Sequence, residues 1–274
     1  MRLLLDIRRF WRLSLASIAL SVSATAFAQT LPGWELVWSD EFNGESLDRS
    51  KWEFEVDAEG GGNQELQYYI TNNVRVHDGL LTIEAHKEHY VGPQGTRDYT
   101  SSRIRTLRKG DWLLGRFDTR AKLPQGKGMW PAIWMLPSES RYGGWPHDGE
   151  IDIMELLGHE PQKVYGTLHY TEPRRHHAST GDHFVLPNGT FSDDFHTFRL
   201  DWETNAMRWY VDDKLYQTIT KWQSGTNSFP APFNQKFHLL LNLAVGGNWP
   251  GNPDTTASLP QSMIVDYVRV YRKK

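Results

Sequence analysis

The chain has 274 residues, a net charge of −3 and no cysteine. This length suits one large folded domain, and the acidic balance argues against a nucleic-acid partner. Without cysteine, the sequence predicts neither a disulfide framework nor a lipid-acylated N-terminus. Aromatic residues make up 13% of the chain, including 12 tryptophans, which is more than a core alone would hold. Flat rings beside amides and carboxylates also suit the faces of sugars.

The first residues have the pattern of a secretory signal peptide. Four arginines precede an apolar run at residues 13–22, and Ala26-Phe27-Ala28 follows as a small-residue cleavage site. The apolar run is too short to span a bilayer as a permanent helix. We therefore expect residues 1–28 to be removed, leaving 26 basic against 32 acidic residues. The product is expected to be a secreted, soluble monomer without a membrane anchor, in the periplasm or outside the cell.

The remaining chain, residues 29–274, predicts a single all-β domain. Residues 115–123 alternate apolar and polar side chains strictly, as in a half-exposed antiparallel strand. Asp78-Gly79 and Asp212-Asp213 have the composition of tight turns between strands. Further strands are predicted at residues 34–38, 74–77, 80–86, 129–136, 163–170, 195–202, 207–211, 214–220, 237–244 and 263–271. No stretch has sustained helical periodicity, so we expect a two-sheet antiparallel β-sandwich, a jelly roll with a concave substrate cleft.

Three carboxylates interrupt the apolar run at residues 149–155, Gly-Glu-Ile-Asp-Ile-Met-Glu. The run is typical of a largely buried strand, where an unpaired carboxylate is costly, so these acids indicate a function. Side chains alternate along a strand, which puts Glu150 and Asp152 on one face and Glu155 on the other. A one-residue bulge, most simply at Met154, returns Glu155 to the face of Glu150.

With the bulge, the two glutamates stand about four pleated residues apart, or roughly 13 Å between Cα atoms. On a concave strand their side chains lean inward, and a carboxyl separation of about 5–5.5 Å, that of a double-displacement glycosidase, becomes reachable. A solvated acidic face on an edge strand and a metal site are the alternatives. Calcium sites draw on loops of Asp, Asn and Gly rather than on aromatic surroundings, so we favour catalysis.

This stretch, with Trp145-Pro146 before it, resembles the signature of family 16 glycoside hydrolases in their laminarinase (endo-β-1,3-glucanase) branch. The resemblance continues in order through four more segments: Ser102-Arg103-Ile104-Arg105, Gly128-Met129-Trp130-Pro131-Ala132-Ile133-Trp134, Gly166-Thr167-Leu168-His169-Tyr170 and Val245-Gly246-Gly247-Asn248-Trp249-Pro250-Gly251. It implies a retaining enzyme, without a catalytic cofactor, that hydrolyses internal β-1,3 bonds of β-glucans.

The resemblance leaves other substrates open. Relatives that act on xyloglucan and mixed-linkage glucan space the second glutamate one residue closer, whereas agar- and carrageenan-cleaving relatives share the bulged spacing. Mixed-linkage β-1,3-1,4-glucan and marine galactans are therefore alternatives. A non-catalytic β-glucan-binding protein is a third alternative, and the presence of both glutamates argues against it.

The resemblance also implies a role for each acid. Glu150 is expected to be the nucleophile that forms a covalent glycosyl-enzyme. Glu155 is the expected acid/base, and both burial and the Glu150 anion should raise its pKa. Asp152 is expected to hydrogen-bond or share a proton with a catalytic glutamate. Because three close carboxyls titrate together, we predict a bell-shaped pH profile on the mildly acidic side.

Trp130, Trp134 and Trp145 resemble sugar-stacking positions of the family, with core packing as the alternative for each. Trp130 and Trp134 are four apart on one predicted strand and share a face, while Trp145 lies in a loop. Trp249, in a glycine-rich turn, is expected to be an exposed and mobile wall of the cleft.

Three further positions resemble substrate contacts: His169, Asn63 and Arg105. The sequence also holds His176, His177 and His183, which together suggest a metal site. We instead place these three histidines in a solvated surface loop, because their neighbours are arginines and small polar residues.

A structural calcium ion on the face away from the cleft is a further implication of the resemblance. The candidate ligands are Glu41, the backbone of Gly79 and Asp266, which offer the hard oxygen donors that calcium prefers. Ordinary surface carboxylates are the alternative for both acids.

Overall fold

The computed structural model describes residues 31–172, 176–222, 225, 227–255 and 257–274. The predicted signal peptide, residues 1–28, lies outside these ranges. Within them, no helix has both the length and the apolar character needed to cross a membrane. The described residues include two short 3-10 helices, Gly60–Gly62 and Thr71–Asn73.

The strands of the described residues are β1 (Trp34–Asp40), β2 (Glu53–Glu55), β3 (Gln67–Tyr69), β4 (Val74–His77), β5 (Leu80–Ala85), β6 (Tyr90–Gly92), β7 (Gly95–Arg97), β8 (Tyr99–Ser101), β9 (Arg103–Arg105), β10 (Asp111–Trp112), β11 (Gly115–Lys122), β12 (Met129–Pro137), β13 (Glu150–Leu156), β14 (Lys163–Thr171), β15 (His177–Val185), β16 (His196–Glu203), β17 (Ala206–Val211), β18 (Lys214–Ile219), β19 (Phe237–Val245) and β20 (Gln261–Lys273).

Two antiparallel sheets contain most of these strands. The back sheet has the order β18-β17-β16-β11-β20-β5-β4, with β1 also paired to β20. The cleft sheet has the order β15-β14-β13-β12-β19-β9-β2, with β10 also paired to β19. Two small sheets, β3 with β8 and β6 with β7, accompany them. The prediction of an all-β, two-sheet sandwich of the jelly-roll type is confirmed.

Alternation along the cleft sheet separates a core face from a cleft face. On β12, Met129, Ile133 and Met135 are fully buried in the main hydrophobic core, whereas Trp130 and Trp134 line a groove on the opposite face. The central strand β19 is buried along its whole length. Fully burying one large apolar side chain contributes about 1.5–3 kcal/mol. The core face therefore stabilises the sheet, and the other face is free to carry function.

Both predicted hairpin turns are present. Asp78 and Gly79 have φ angles of 51° and 76° between β4 and β5. Asp212 and Asp213 have φ angles of 47° and 65° between β17 and β18. Two consecutive residues with positive φ match the twist of a two-residue hairpin.

One long strand differs from the sequence prediction. β15 pairs with β14 along its whole length, in a segment that we predicted to be a surface loop. Its side chains are mostly exposed and polar, so the sequence lacks the apolar alternation that marks a half-buried strand. β15 forms because β14 supplies main-chain hydrogen-bond partners, which no local pattern reveals.

β13 carries the predicted bulge. Trp134 of β12 lies opposite Asp152, and Ala132 lies opposite Glu155, so three residues of β12 face four of β13. On the other side of β13, Asp152 pairs with Thr167 of β14 and Glu155 pairs with Tyr165. Only Gly166 lies between those two partners. The extra residue thus lies at positions 153–154, as predicted, and all three acids face the same groove.

Trp209 of the back sheet contacts this bulge from the core side. Its indole N–H donates a 2.8 Å hydrogen bond to the carbonyl oxygen of Asp152. A Cβ atom on Gly166 would come within 2.5 Å of the Trp209 ring. Position 166 therefore requires glycine, because a side chain there would displace the indole that satisfies the bulged backbone.

Candidate active site

The cleft face borders a groove of about 650 Å³. All but one of the predicted catalytic and substrate-binding residues line it: Glu150, Asp152, Glu155, Trp130, Trp134, Trp145, His169, Asn63 and Trp249. The sequence did not single out several other lining residues: Glu55, Glu65, Arg103, Thr167, His177, Ser179 and Asn242. The groove therefore combines acids, amides and aromatic rings on one face.

At one end of the acidic cluster, Glu150 accepts a 2.7 Å hydrogen bond from Nε1 of Trp145. We call this pair the Glu150 end. Trp145 belongs to the loop before β13 and is 56% exposed. Its indole therefore has one polar contact to the cluster and a large surface open to solvent or ligand.

Asp148 shapes the loop that carries Trp145. Its buried carboxylate accepts hydrogen bonds from the hydroxyl of Ser140 and from the backbone N–H groups of Arg141, Tyr142 and Gly144. Burial raises the pKa of Asp148, but these bonds to the carboxylate outweigh burial and lower it. A charged Asp148 thus holds the loop, and sequence reasoning did not assign this residue a role.

At the other end, Glu155 accepts a 3.0 Å hydrogen bond from Nε1 of Trp130. We call this pair the Glu155 end. Trp130 belongs to β12 and is only 9% exposed. The ring of Trp249 packs edge-on against Trp130, with 5.6 Å between centroids, and is itself 41% exposed. The expected exposure of Trp249 beside the groove is confirmed.

Asp152 lies between the two ends and contacts a pair of histidines. Its Oδ2 is 3.1 Å from Nε2 of His169, whose Nδ1 is 2.8 Å from Nε2 of His177. The two imidazole rings stack, with centroids 5.0 Å and planes 21° apart. The His177 ring also lies 4.8 Å from the Trp145 ring. The prediction that His177 belongs to a solvated surface loop is wrong, because it begins β15 and lines the groove.

Burial raises the pKa of all three acids, because loss of water disfavours the charged carboxylate. For Glu155 the pKa rises well above its usual value, through burial and then the charges of Asp152 and Glu150. For Glu150, burial and the Asp152 charge raise the pKa, while His169 and the Trp145 indole oppose the rise. Burial also raises the pKa of Asp152, although a hydrogen bond from Glu150 opposes it. The two carboxyls of Glu150 and Asp152 thus influence each other's pKa.

A chain of hydrogen bonds forms another part of the groove. Trp134 donates from Nε1 to Asn242 at 2.6 Å, Asn242 donates to the hydroxyl of Tyr69 at 3.2 Å, and Tyr69 donates to Glu65 at 3.3 Å. The guanidinium of Arg103 lies over the Tyr69 ring, 4.6 Å from its centroid. These contacts join residues that are far apart in the sequence, so no local motif indicates them.

Arg105 is the predicted contact residue that the structure places outside this groove. Its guanidinium pairs with Glu53 at 2.7 Å and Glu55 at 3.2 Å, and it borders a smaller cavity of about 270 Å³. Arg103 lies on the same face of β9, two residues earlier, and lines the main groove. The structure therefore assigns the groove to Arg103 rather than Arg105.

The two acids predicted to bind calcium each have an arginine partner in this structure. Both carboxylate oxygens of Glu41 accept hydrogen bonds from Arg269, at 2.9 and 2.7 Å. Asp266 pairs with Arg120 at 2.5 Å. A guanidinium thus pairs with each of the two acids, and calcium binding by Glu41, Gly79 and Asp266 stays a prediction.

Glu150, Asp152 and His169 are the one trio of metal-ligating side chains among the described residues whose donor atoms all lie within 4.8 Å of one another. They belong to the acidic cluster already described. In that cluster Glu150 accepts a hydrogen bond from Trp145, and Asp152 lies 3.1 Å from His169.

Comparison with known proteins gives a consistent set of relatives. The family model described as Glycosyl hydrolases family 16 matches residues 49–269. A beta-glucanase of Rhodothermus marinus is 46% identical over 253 residues, covering 88% of this chain and 86% of that protein. A glucan endo-1,3-beta-glucosidase of Cryptopygus antarcticus is 44% identical over 229 residues, covering 80% and 83%. Among solved structures, the laminarinase catalytic domain of Thermotoga maritima MSB8 is similar with a TM-score of 0.79 and 44% identity, covering 88% and 99%.

Proposed function

The chain belongs to glycosyl hydrolase family 16, and from that premise we propose that it is a retaining endo-β-1,3-glucanase. It hydrolyses internal β-1,3 bonds of β-glucans by double displacement. One observation carries the proposal: Glu150 and Glu155 face one aromatic-lined groove across the bulge, each hydrogen-bonded by a different indole. The names of the relatives from R. marinus and C. antarcticus support a glucan substrate.

In the first step, Glu150 attacks the anomeric carbon and forms a covalent glycosyl-enzyme. It must be ionised to do so. Burial and the charge of Asp152 raise the pKa of Glu150, whereas the indole N–H of Trp145 lowers it and favours the ionised form. Asp152 takes up the proton of Glu150 as positive charge develops on the sugar, which leaves Glu150 free to attack.

Glu155 protonates the departing oxygen in the same step and then removes a proton from the attacking water. An acid must hold its proton at the working pH, and burial together with two neighbouring anions raises the pKa of Glu155 for this task. The two carboxyls supply all the proton transfers and the covalent bond, so double displacement requires no cofactor.

Aromatic rings and polar groups of the groove hold the glucan. Trp134, Trp145 and Trp249 offer ring surface for the faces of the sugars, and Asn63 offers an amide. His169 contacts Asp152 and also lines the groove, where it can contact a sugar. Arg103, beside Tyr69, is a further candidate for hydroxyl contacts.

The test compares laminarin, lichenan and agarose side by side with the same enzyme preparation. We expect reducing sugar mainly from laminarin, with products that ¹H NMR first detects as the β-anomer. Predominant cleavage of lichenan or agarose would instead assign the same chemistry to mixed-linkage glucan or a galactan. Inverted products would contradict the double-displacement mechanism.

A matched pair of variants separates catalysis from binding. Glu150→Gln should abolish hydrolysis while laminarin is still retained in affinity electrophoresis, whereas Glu45→Gln, an exposed glutamate outside the groove, should leave activity unchanged. Wild-type protein that binds laminarin without hydrolysing it would show a glucan-binding protein rather than an enzyme.

We also propose that the protein is exported, on the basis of the signal-peptide pattern in residues 1–28. N-terminal sequencing of protein from a secreting host should then begin at Gln29. Full-length protein that remains in the cytoplasm would contradict this proposal.

A further inference from the structure

His177 links His169, which faces Asp152, to Trp145, which donates to Glu150, although it lies outside every motif described above. It begins β15, an edge strand of the cleft sheet, and pairs in register with Thr171 of β14. On one side its ring stacks on His169, and on the other it packs against Trp145. It therefore touches the residues that contact Asp152 and Glu150, without touching either acid in any described contact.

The contacts form a closed circuit around the Glu150 end. Trp145 donates to Glu150, Glu150 lies beside Asp152, and Asp152 faces His169. His177 closes the circuit through its 2.8 Å contact with Nδ1 of His169 and its ring contact with Trp145. Removal of His177 would delete the contacts that connect His169 to Trp145.

The 2.8 Å contact between the two imidazoles constrains where their protons lie. When both rings are neutral, only one of the two facing nitrogens carries a hydrogen. If Nε2 of His177 donates, then Nδ1 of His169 accepts, and His169 carries its proton on Nε2, beside Asp152. Partial burial lowers the pKa of His177, which favours the neutral ring.

We propose that His177 is a positioning residue for glucan cleavage: it holds His169 in the tautomer that presents Nε2–H to Asp152 and gives the Trp145 ring a surface to pack on. This inference rests on the proposed glucanase function. His177 acts through its neighbours and contacts no reacting atom.

The pH dependence follows from the groups around His177. Those that face it are His169 on β14, with Asp152 and Glu150 of β13 beyond it, and the uncharged ring of Trp145 from the loop. Without His177, His169 can carry its proton on Nδ1, and the carboxylate of Asp152 loses a donor. Loss of a donor to the charged form raises the pKa of a carboxyl. A more protonated Asp152 puts less negative charge beside Glu150, so the pKa of Glu150 falls and the acidic limb of the kcat profile should move to lower pH.

His177→Phe is the decisive variant, because it keeps a flat ring and removes both nitrogens. We expect kcat on laminarin to fall about 3- to 10-fold, the effect of one net hydrogen bond, with KM changed less than kcat. Long-range ¹H–¹⁵N NMR should show His169 in the Nε2–H tautomer in the wild type and in a mixture of tautomers in the variant. His176→Phe, at the neighbouring exposed position, should change neither.

His177→Gln is the second variant, because its amide can donate to His169 without the imidazole ring. We expect it to recover part of kcat and of the acidic limb, and to have a higher KM than His177→Phe, since Trp145 loses its ring contact. A circular-dichroism melting curve checks that both variants fold. If both are folded and match the wild type in kcat, pH profile and tautomer, His177 has no positioning role. Wild-type protein without activity on any of the three glycans would contradict the proposed function itself.

Discussion

The two ends of β13 hold their glutamates in different ways. At the Glu150 end the donor is Trp145, more than half exposed, on a loop whose shape depends on hydrogen bonds to Asp148. At the Glu155 end the donor is Trp130, a nearly buried residue of β12 in the middle of the cleft sheet. Glu150 thus receives its hydrogen bond from a loop residue, and Glu155 receives its hydrogen bond from a strand residue.

This difference matches the tasks proposed for the two groups. The nucleophile must be reached by the sugar, and an exposed indole can bind substrate while it donates to Glu150. The acid must keep its proton, which requires a dry and fixed environment, and a strand residue such as Trp130 supplies one. Each of the following predictions gives a measurement in which the Glu150 end and the Glu155 end should differ.

The largest effect should come from removing each carboxylate. Glu150→Gln should lower kcat on the order of 10⁴-fold or more, as for other covalent nucleophiles, on every substrate. Glu155→Gln should lower kcat on laminarin by about 10²- to 10⁴-fold, but should regain much of it on an aryl glycoside with a good leaving group, which needs no protonation. Equal losses of the two variants on both substrates, in steady-state assays, would remove the distinction between the ends.

Truncating the two tryptophans should affect stability to very different extents. Trp130→Ala should lower the free energy of unfolding by about 3–5 kcal/mol, because it leaves a cavity in a packed region. Trp145→Ala should change it by no more than about 0.5 kcal/mol, because the ring is mostly exposed. Urea unfolding monitored by fluorescence measures both. A large loss for Trp145→Ala would mean that its loop is part of the cooperative core.

Glu155→Gln should also stabilise the protein in a pH-dependent way. Because the pKa of Glu155 is raised in the folded state, the native protein binds more protons than the unfolded chain, and stability is lost as pH rises above about 4.5. The neutral amide avoids this loss. We expect Tm to rise by about 2–4 °C at pH 8 and the gain to vanish at pH 4. A gain that does not depend on pH would contradict this account.

The smallest effects are shifts of the pH profile. Trp145→Phe removes a donor to Glu150, raises its pKa and moves the acidic limb to higher pH, because the nucleophile must be ionised. Trp130→Phe raises the pKa of Glu155 and moves the basic limb to higher pH, because the acid must be protonated. Each shift should be about 0.4–1 pH unit, the equivalent of one net hydrogen bond. Kinetics on laminarin from pH 3 to pH 10 would detect a shift on the wrong limb.

Local patterns predicted the features that depend on neighbouring residues. Strict alternation marked strands such as β11, and the spacing of Glu150 and Glu155 predicted the bulge before any register was known. The same alternation put Trp130 and Trp134 on one face, and both line the groove.

Contacts between distant residues were not predictable in this way. Glu41 pairs with Arg269, 228 positions away, so a plausible calcium ligand proved to be half of an ion pair. Arg103 and Arg105 share a face of β9, and the sequence does not indicate where along the strand the groove ends. His177 lines the groove because β15 pairs with β14, and the polar residues around His177 do not indicate a strand.

The bulge at positions 153–154 has a consequence for changes in chain length. In most of a sheet, deletion of one residue exchanges the inward and outward rows of a strand. Deletion of Met154, however, would remove the two-against-one mismatch with Gly166 and leave a regular strand with both glutamates still on one side. We therefore expect β13 to accept two lengths at this point, with or without Met154, whereas a regular strand accepts one. Pairing with β12 and β14, rather than the number of residues in β13, sets the distance between Glu150 and Glu155.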